Sequence, residues 1–437
     1  MQKQIMTFES TEAFALKMDE QDLLKHFRNK FYIPKQPDGK DVLYFTGNSL
    51  GLQPKATRKY IEQELKDWET LGVDGHFQAI NPWMPYHENL TDAMAKIVGA
   101  KPIETVVMNS LTVNLHLLMV SFYRPTAERY KIIIEADAFP SDKYAVKSQI
   151  DFWECRQLAC NESEGRKKDD VLIELKPRKG EATLRTEDIE KVITENGDSI
   201  ALIMLGGVNY YTGQAFDMKR ITESGHEVGA VVGFDLAHAV GNIKLKLHDW
   251  NVDFACWCSY KYLNSGPGGI AGIFINERHA ENFELPRFAG WWGHDAETRF
   301  LMDDEFVPMK GAEGWQLSNQ PILLLASLRA SLDIFEEAGM ENLLEKSHKL
   351  TAYLEFLLNH NHDERISIIT PSNPDERGCQ LSIRVKDADK NLFKAITEKG
   401  VIADWREPDV IRVAPVPLYN SFMDVYRFVE ILKECLK

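Results

Sequence analysis

Short apolar runs alternate with segments of helical length through the middle of the chain, and this alternation restricts the fold more than any other feature. The runs, which begin between Thr105 and Gly269, are TVVMN, KIIIEA, VLIEL, IALIMLGGV, AVVGFD, FACWCS and GIAGIFI. Segments such as TEDIEKVITENG separate them. Apolar strands that alternate with helices are typical of a parallel sheet covered on both faces. The pattern predicts an α/β fold with a mostly parallel central sheet.

The order of elements changes after Pro321. Two long helical patterns are followed by the strands ISIIT and QLSIRV, a helix, two short strands around IADWR and IRVAP, and a closing helix. This order predicts a smaller C-terminal α+β domain. We expect an N-terminal arm over residues 1–49 that packs on this domain, a large domain over 50–318 and the small domain over 319–437, with a ligand cleft between the domains.

Composition excludes several classes of protein. The chain has 437 residues and a formal charge of −15, which disfavours binding to nucleic acid or to an anionic membrane. We find neither a secretory signal nor an apolar run long enough to span a bilayer, so we expect a cytoplasmic protein. The cysteines lack metal-site spacing, and we expect no metal. They are Cys155, Cys160, Cys256, Cys258, Cys379 and Cys435.

The strongest candidate site follows two of the predicted strands. Asp235 and His238 come at the end of AVVGFD, and Tyr260 and Lys261 come after FACWCS. The carboxyl ends of neighbouring strands are where open α/β sheets bind ligands. Pyridoxal phosphate needs a lysine for its aldehyde and a carboxylate for its ring nitrogen. Taken singly, these residues also have purely structural interpretations. Asp235 could be a turn or cap residue, His238 a buried core histidine and Lys261 a solvated lysine.

A phosphate site is predicted elsewhere. The segment GPGGIA after Lys261 matches a dinucleotide fingerprint, but it leads into a strand rather than a helix, and the chain has no Walker A sequence. Ser110 and Thr112 instead stand where a strand meets a helix, whose first amides can bind phosphate. The alternative is that they only cap the helix. Phe139-Pro140-Ser141-Asp142 repeats the pattern and adds an aromatic ring that could stack on the cofactor.

A larger set of segments carries a family resemblance. In chain order they are GNSLGLQP, MNSLTVNLH, AFPSDKYA, GGVNYYTGQ, GFDLAHAVGN, SYKYLNSGPGG, GWWGH and IRVAPVPLYNSF. Together they resemble the kynureninase family of fold-type I, or aspartate aminotransferase superfamily, pyridoxal-phosphate enzymes. The resemblance extends from Gly47 to the last helix.

The resemblance implies a role for each matching residue. Lys261 would form the Schiff base with pyridoxal 5′-phosphate and act with Tyr260 in catalysis, and Asp235 would pair with the ring nitrogen. The remaining cofactor-binding residues that it implies are Leu111, Thr112, Phe139, Ser141, Asp142, His238, Trp291 and Asn319, together with Tyr260 itself.

Substrate contacts are implied as well. Arg412 would clamp the α-carboxylate, and a guanidinium in the apolar strand IRVAP does need an anionic partner, although an internal ion pair is the alternative. His76 and Asn319 would lie near the aromatic ring of the substrate, unless His76 merely packs in its loop. Gly206 departs from the family pattern, in which a hydroxyl residue can stand at this place.

The implied reaction is hydrolytic cleavage of the Cβ–Cγ bond of L-kynurenine or 3-hydroxy-L-kynurenine to anthranilate or 3-hydroxyanthranilate and L-alanine. It would serve tryptophan catabolism and NAD biosynthesis, in a homodimer with shared active sites. The alternatives on this fold are a transaminase, a cysteine desulfurase and a non-catalytic cofactor-binding module. A desulfurase needs a nucleophilic cysteine on an exposed loop, whereas Cys256 and Cys258 alternate in an apolar strand and are predicted to be buried.

Overall fold

The computed structural model describes residues 7–159, 170–360 and 362–437. Its strands in chain order are β1 (Leu43–Tyr44), β2 (Thr105–Val107), β3 (Lys131–Glu135), β4 (Leu172–Leu175), β5 (Ile200–Gly206), β6 (Val231–Asp235), β7 (Phe254–Cys258), β8 (Ala271–Ile275), β9 (Ile366–Ile368), β10 (Leu381–Val385), β11 (Val401–Ile402), β12 (Asp404–Arg406) and β13 (Val410–Val413). Its α-helices are α1 (Glu12–Gln21), α2 (Thr57–Leu71), α3 (Gly75–Gln78), α4 (Glu88–Val98), α5 (Leu111–Phe122), α6 (Pro140–Ala159), α7 (Thr186–Asn196), α8 (Met218–Glu227), α9 (Ile322–Ala338), α10 (Met340–His360), α11 (Lys390–Glu398) and α12 (Phe422–Cys435).

The large sheet has the strand order β2-β8-β7-β6-β5-β3-β4. The pairs from β7 to β4 are parallel, whereas β8 runs antiparallel to both β7 and β2. The predicted α/β fold with a mostly parallel central sheet is therefore confirmed.

Both faces of this sheet are buried, which explains why its strands are apolar at every position rather than at alternate ones. On β3, Ile132 and Ile134 belong to one hydrophobic cluster and Ile133 belongs to another. Since successive side chains of a strand point to opposite faces, the two clusters lie on opposite sides of the sheet. Helices α5 and α6 pack in contact with each other, and α5 also contacts β7 and β8.

The C-terminal part of the chain forms a second, antiparallel sheet in the order β12-β13-β10-β9. Its core includes Leu354 of α10 and Phe428 of α12. The N-terminal segment joins this core, because Phe14 and Phe45 belong to the same cluster and β1 pairs with β11. The boundaries placed after residues 49 and 318 stay a prediction.

In the three described ranges we find no helix that combines the length and the apolarity needed to span a membrane.

Candidate active site

A cavity of about 350 Å³ lies at the carboxyl ends of the parallel strands. Asp235 is the last residue of β6, and Lys261 follows β7, which pairs with β6 in parallel. The predicted site residues that line this cavity are Leu111, Thr112, Phe139, Ser141, Asp142, Asp235, His238, Tyr260, Lys261 and Arg412. The large sheet brings most of these residues to one edge, and β13 of the small sheet adds Arg412.

Lys261 lies beside a histidine that is held neutral. The Nζ atom of Lys261 is 3.1 Å from Nε2 of His238. Burial, together with the charge of Lys261, lowers the pKa of His238 well below its usual value. The imidazole therefore carries no charge that would repel the lysine, and its buried Nδ1 has no hydrogen-bond partner within the described residues.

Three carboxyl groups form the inner wall of the cavity. The side chains of Asp142 and Asp235 hydrogen-bond each other, and burial raises the pKa of both. Oδ1 of Asp235 also accepts a hydrogen bond of 2.7 Å from the backbone N–H of Ala237. Glu135, at the end of β3, accepts one of 3.0 Å from the N–H of Gly206, and burial raises its pKa to about 7. Such close carboxyl groups cannot all be ionised unless a cation joins them.

The turn before α5 has the form of an anion site. Ser110 stands at the N-cap position, but its side chain makes no capping hydrogen bond. The hydroxyl of Thr112 instead lies 2.8 Å from that of Ser141, in the first turn of α6. Two helix starts therefore present hydroxyl groups to one place, as phosphate recognition requires. The capping hydrogen bond expected of Ser110 is absent, and a phosphate-binding role for this turn stays a prediction.

The Phe139 ring is 44% exposed although it lines the cavity. Its centroid is 5.9 Å from Nζ of Lys261. A large apolar ring left open next to the lysine can stack on a flat ligand bound there.

For Arg412 the structure shows the internal ion pair that was the alternative interpretation, and the role as a substrate clamp stays a prediction. Its guanidinium lies on the cavity wall and is almost completely buried. It forms an internal ion pair with Asp404, which stands opposite it on β12. Burial lowers the pKa of Arg412, and the charge of Asp404 opposes that shift.

Several cavity residues escaped the sequence analysis. Asn48 and Ser49 reach the cavity because the loop after β1 packs on the turn that holds Lys261, where the N–H of Gly51 donates to the carbonyl of Tyr260 at 2.8 Å. A Cβ at Gly51 would lie 2.4 Å from the carbonyl oxygen of Lys261, so no side chain fits there. The segment GNSLGLQP, which contains Asn48 and Gly51, is the sequence signal for this contact. The other polar lining residues that the sequence did not indicate are Glu135, Asn209, Tyr210 and Arg406.

Three predicted site residues lie outside the cavity of the single chain. His76 is in α3, where its Nδ1 is 2.9 Å from the carbonyl oxygen of Val73. Trp291 donates through Nε1 to the carbonyl of Arg299 at 3.0 Å and is 39% exposed. Asn319 is exposed on the segment before α9. Their roles at the site stay predictions.

Solved structures share the fold at low sequence identity. A cysteine desulfurase from Thermococcus onnurineus NA1 has a TM-score of 0.71 and 18% identity, with 90% of this chain and 94% of that chain covered. A mutant of C-DES with glycine covalently linked to its PLP cofactor has a TM-score of 0.73 and 15% identity, over 93% of this chain and 98% of that chain. These likenesses confirm the fold-type I prediction and nothing beyond the fold.

Relatives at much higher identity carry one name. A kynureninase of Koribacter versatilis is 60% identical over 423 residues, which are 97% of either chain. A kynureninase of Mus musculus is 51% identical over 444 aligned residues, 97% of this chain and 93% of that one. Residues 343–432 match the model of the kynureninase C-terminal domain. The resemblance seen in the sequence is thus confirmed, and the chain belongs to the kynureninase family.

Proposed function

We propose that the protein is a pyridoxal-phosphate-dependent hydrolase of L-kynurenine, 3-hydroxy-L-kynurenine or both, which releases anthranilate or 3-hydroxyanthranilate and L-alanine in tryptophan catabolism and NAD biosynthesis. The observation that carries this proposal is the position of Lys261. It lies 3.1 Å from the neutral His238, and its charge acts on the carboxyl groups of Asp142 and Asp235, in a cavity that Arg412 also lines. Membership of the kynureninase family supports the choice of substrate.

The residues of the cavity fit the cofactor. The paired hydroxyls of Thr112 and Ser141 at two helix starts suit its phosphate, and the open face of Phe139 suits its ring. The hydrogen-bonded carboxyl groups of Asp142 and Asp235 suit a protonated ring nitrogen, whose charge would favour ionisation of one of them. When bound, pyridoxal phosphate provides the electron sink for the bond that is broken.

The chain's own groups move the protons. Lys261 is placed to take the α-proton of the substrate and to return it, because the neutral His238 orients its amine without competing for the charge. Burial raises the pKa of Tyr260 above its usual value, so its phenol stays protonated and can donate a hydrogen bond. The ring centroid of Tyr260 lies 5.9 Å from Nζ of Lys261, so the two groups are neighbours in the cavity.

We also propose a homodimer in which the partner subunit supplies His76, Trp291 and Asn319. The segment around His76 and the segment after Trp291 each expose several large apolar side chains, as protein–protein interaction surfaces often do. Around His76 they are Trp68, Val73, Phe77 and Ile80, and after Trp291 they are Phe300, Leu301 and Met302. A cytoplasmic location is proposed with it, because the free, buried thiols of Cys256, Cys258 and Cys379 suit a reducing compartment.

Desulfurase chemistry is disfavoured by the cysteines that the structure describes. Cys256 and Cys258 lie in β7, and burial raises the pKa of both thiols. A buried thiol at a raised pKa is a poor nucleophile. Cys379 is also buried, and Cys435, at the end of the last helix, does not line the cavity.

The test is a product assay with purified holoprotein. With L-kynurenine we expect anthranilate fluorescence to appear together with an equal amount of L-alanine. With L-cysteine we expect no sulfide, and with L-alanine and a keto acid no amino transfer at a comparable rate. Keto-acid products in place of alanine would favour the transaminase, and no turnover of any amino acid would favour the non-catalytic module.

A further inference from the structure

A second arginine lines the cavity next to Arg412. Arg406 ends β12, and Arg412 stands on β13, the antiparallel neighbour of β12. Asp404 is directly opposite Arg412 in the register. Residues two apart on a strand share a face, and so do directly opposed residues. The backbone therefore places one carboxylate and two guanidinium groups on the same face of the small sheet.

The single carboxylate serves both arginines. Oδ2 of Asp404 accepts a hydrogen bond from Nη2 of Arg412 and another, of 3.1 Å, from Nη2 of Arg406. The nearby Glu407 pairs with Lys390 at 2.7 Å. His238, which also faces Arg406 and Arg412, is held neutral by burial. The two guanidinium groups and Asp404 together carry one uncompensated positive charge.

Both arginines also retain unused donors. The Nε atoms of Arg406 and Arg412 are buried and have no hydrogen-bond partner among the described residues. The ring of Tyr210 orients both groups, since its centroid is 5.8 Å from Cζ of Arg406 and 5.9 Å from Cζ of Arg412. The carbonyl of Tyr210 also accepts a hydrogen bond of 2.5 Å from Nη1 of Arg412. A fixed pair of cations on one cavity wall is suited to an anion of planar, two-oxygen geometry.

The two arginines differ in access. The side chain of Arg412 is 2% exposed, whereas that of Arg406 is 36% exposed. Arg406 lines both the active-site cavity and a wide cavity of about 690 Å³ formed with Tyr211, Phe393 and Trp405. An anion that enters from this side meets Arg406 before the buried Arg412.

We propose that Arg406 is a second carboxylate-binding residue, which holds the α-carboxylate of the amino-acid substrate together with Arg412. Asp404 is the positioning residue that keeps the two like charges side by side. The proposal rests on the proposed function, because it deepens the account of the same site.

The test compares two ligands that differ only in the carboxylate. L-Alanine and L-alaninamide are titrated into the holoprotein, and the absorbance of the bound cofactor gives each dissociation constant. The variants are Arg406→Gln, Arg406→Lys and the control Arg384→Gln. Arg384 stands on β10 of the same sheet, is 43% exposed and pairs with Asp409, but it lines a different cavity.

For Arg406→Gln we expect the dissociation constant of L-alanine to rise about tenfold or more, since a charge-assisted hydrogen bond is lost. That of L-alaninamide should stay within about twofold of wild type, because the amide offers no anion to the arginine. Arg406→Lys keeps the charge but not the planar guanidinium, so its dissociation constant for L-alanine should lie between those of wild type and Arg406→Gln. Arg384→Gln should change the dissociation constant of neither ligand. With L-kynurenine, KM should rise more than kcat falls.

Equal weakening of both ligands by Arg406→Gln, or no weakening of either, would overturn the proposal. If Arg406→Gln does not fold, Arg406→Lys decides by the same comparison. Failure of the proposed function is a separate result, because it shows as the absence of anthranilate from the wild-type protein, while the comparison of L-alanine with L-alaninamide needs no turnover.

Discussion

Glu135 places a third carboxyl group beside Asp142 and Asp235, and burial shifts its ionisation into the physiological range. Its pKa rises from an ordinary 4.5 to about 7. The folded chain therefore holds this proton more tightly than the unfolded chain does. The stabilisation that results is complete below about pH 4.5 and is lost as the pH rises through about 7. A glutamine at this place is neutral at every pH and suffers no such loss.

Glu135→Gln should therefore become more stable relative to wild type as the pH rises. Between about pH 4.5 and 7.5 we expect the difference in free energy of unfolding, variant minus wild type, to increase by about 3 kcal/mol. Urea denaturation of the cofactor-free protein at several pH values measures it. The control is Glu341→Gln, whose side chain is 89% exposed. A difference that stays flat with pH would show that Glu135 is not buried as a protonated acid.

The sequence predicts those site residues that immediately follow a strand or begin a helix. Asp235, His238 and Lys261 follow apolar runs, and the geometry of a parallel sheet then brings them to one edge. Asn48 and Arg406 could not be found in this way, because their place depends on how distant segments pack. The ion pair between Arg412 and Asp404 depends on the register of two short strands, which apolar patterning does not encode.

At the scale of elements, the strands of the large sheet could be predicted because each is a continuous apolar run with both faces buried. Whether each strand runs parallel or antiparallel to its neighbours could not be predicted for all of them. The run GIAGIFI forms β8, which is antiparallel to its neighbours, and nothing in its composition distinguishes it from a parallel strand. The pairing of β1 with β11 could not be predicted either, because a strand of two residues shows no periodicity.

At the scale of the whole molecule, the two ends of the chain are joined. The carboxylate of Asp19, in α1, accepts hydrogen bonds from the backbone N–H groups of Phe422 and Met423 at 2.7 and 3.1 Å, so it caps the last helix. Buried Lys346 of α10 pairs with Asp22 at 2.7 Å, directly after α1. The N-terminal segment thereby supports the small domain that carries Arg412.

The proposed homodimer predicts that two inactive variants restore each other. Lys261→Ala lacks the lysine, and the double variant His76→Ala with Asn319→Ala lacks two residues that we assign to the partner's site. In a hybrid dimer one of the two sites is intact, so unfolding and refolding the mixed variants should recover about one quarter of wild-type activity. Each variant refolded alone is the control.

No recovery from the mixture would mean that His76 and Asn319 act in their own subunit. Full activity of the double variant by itself would remove both residues from the site. In either case the shared-site arrangement would be contradicted.

The most direct test of the account is chemical identification of the residue that binds the cofactor. Borohydride reduction of the holoprotein, followed by proteolysis and mass spectrometry, should find the pyridoxyl phosphate adduct on Lys261. Lys261→Ala should still bind the cofactor but form no anthranilate from L-kynurenine. An adduct on any other lysine, or undiminished turnover by Lys261→Ala, would contradict the placement of the active site at the ends of β6 and β7.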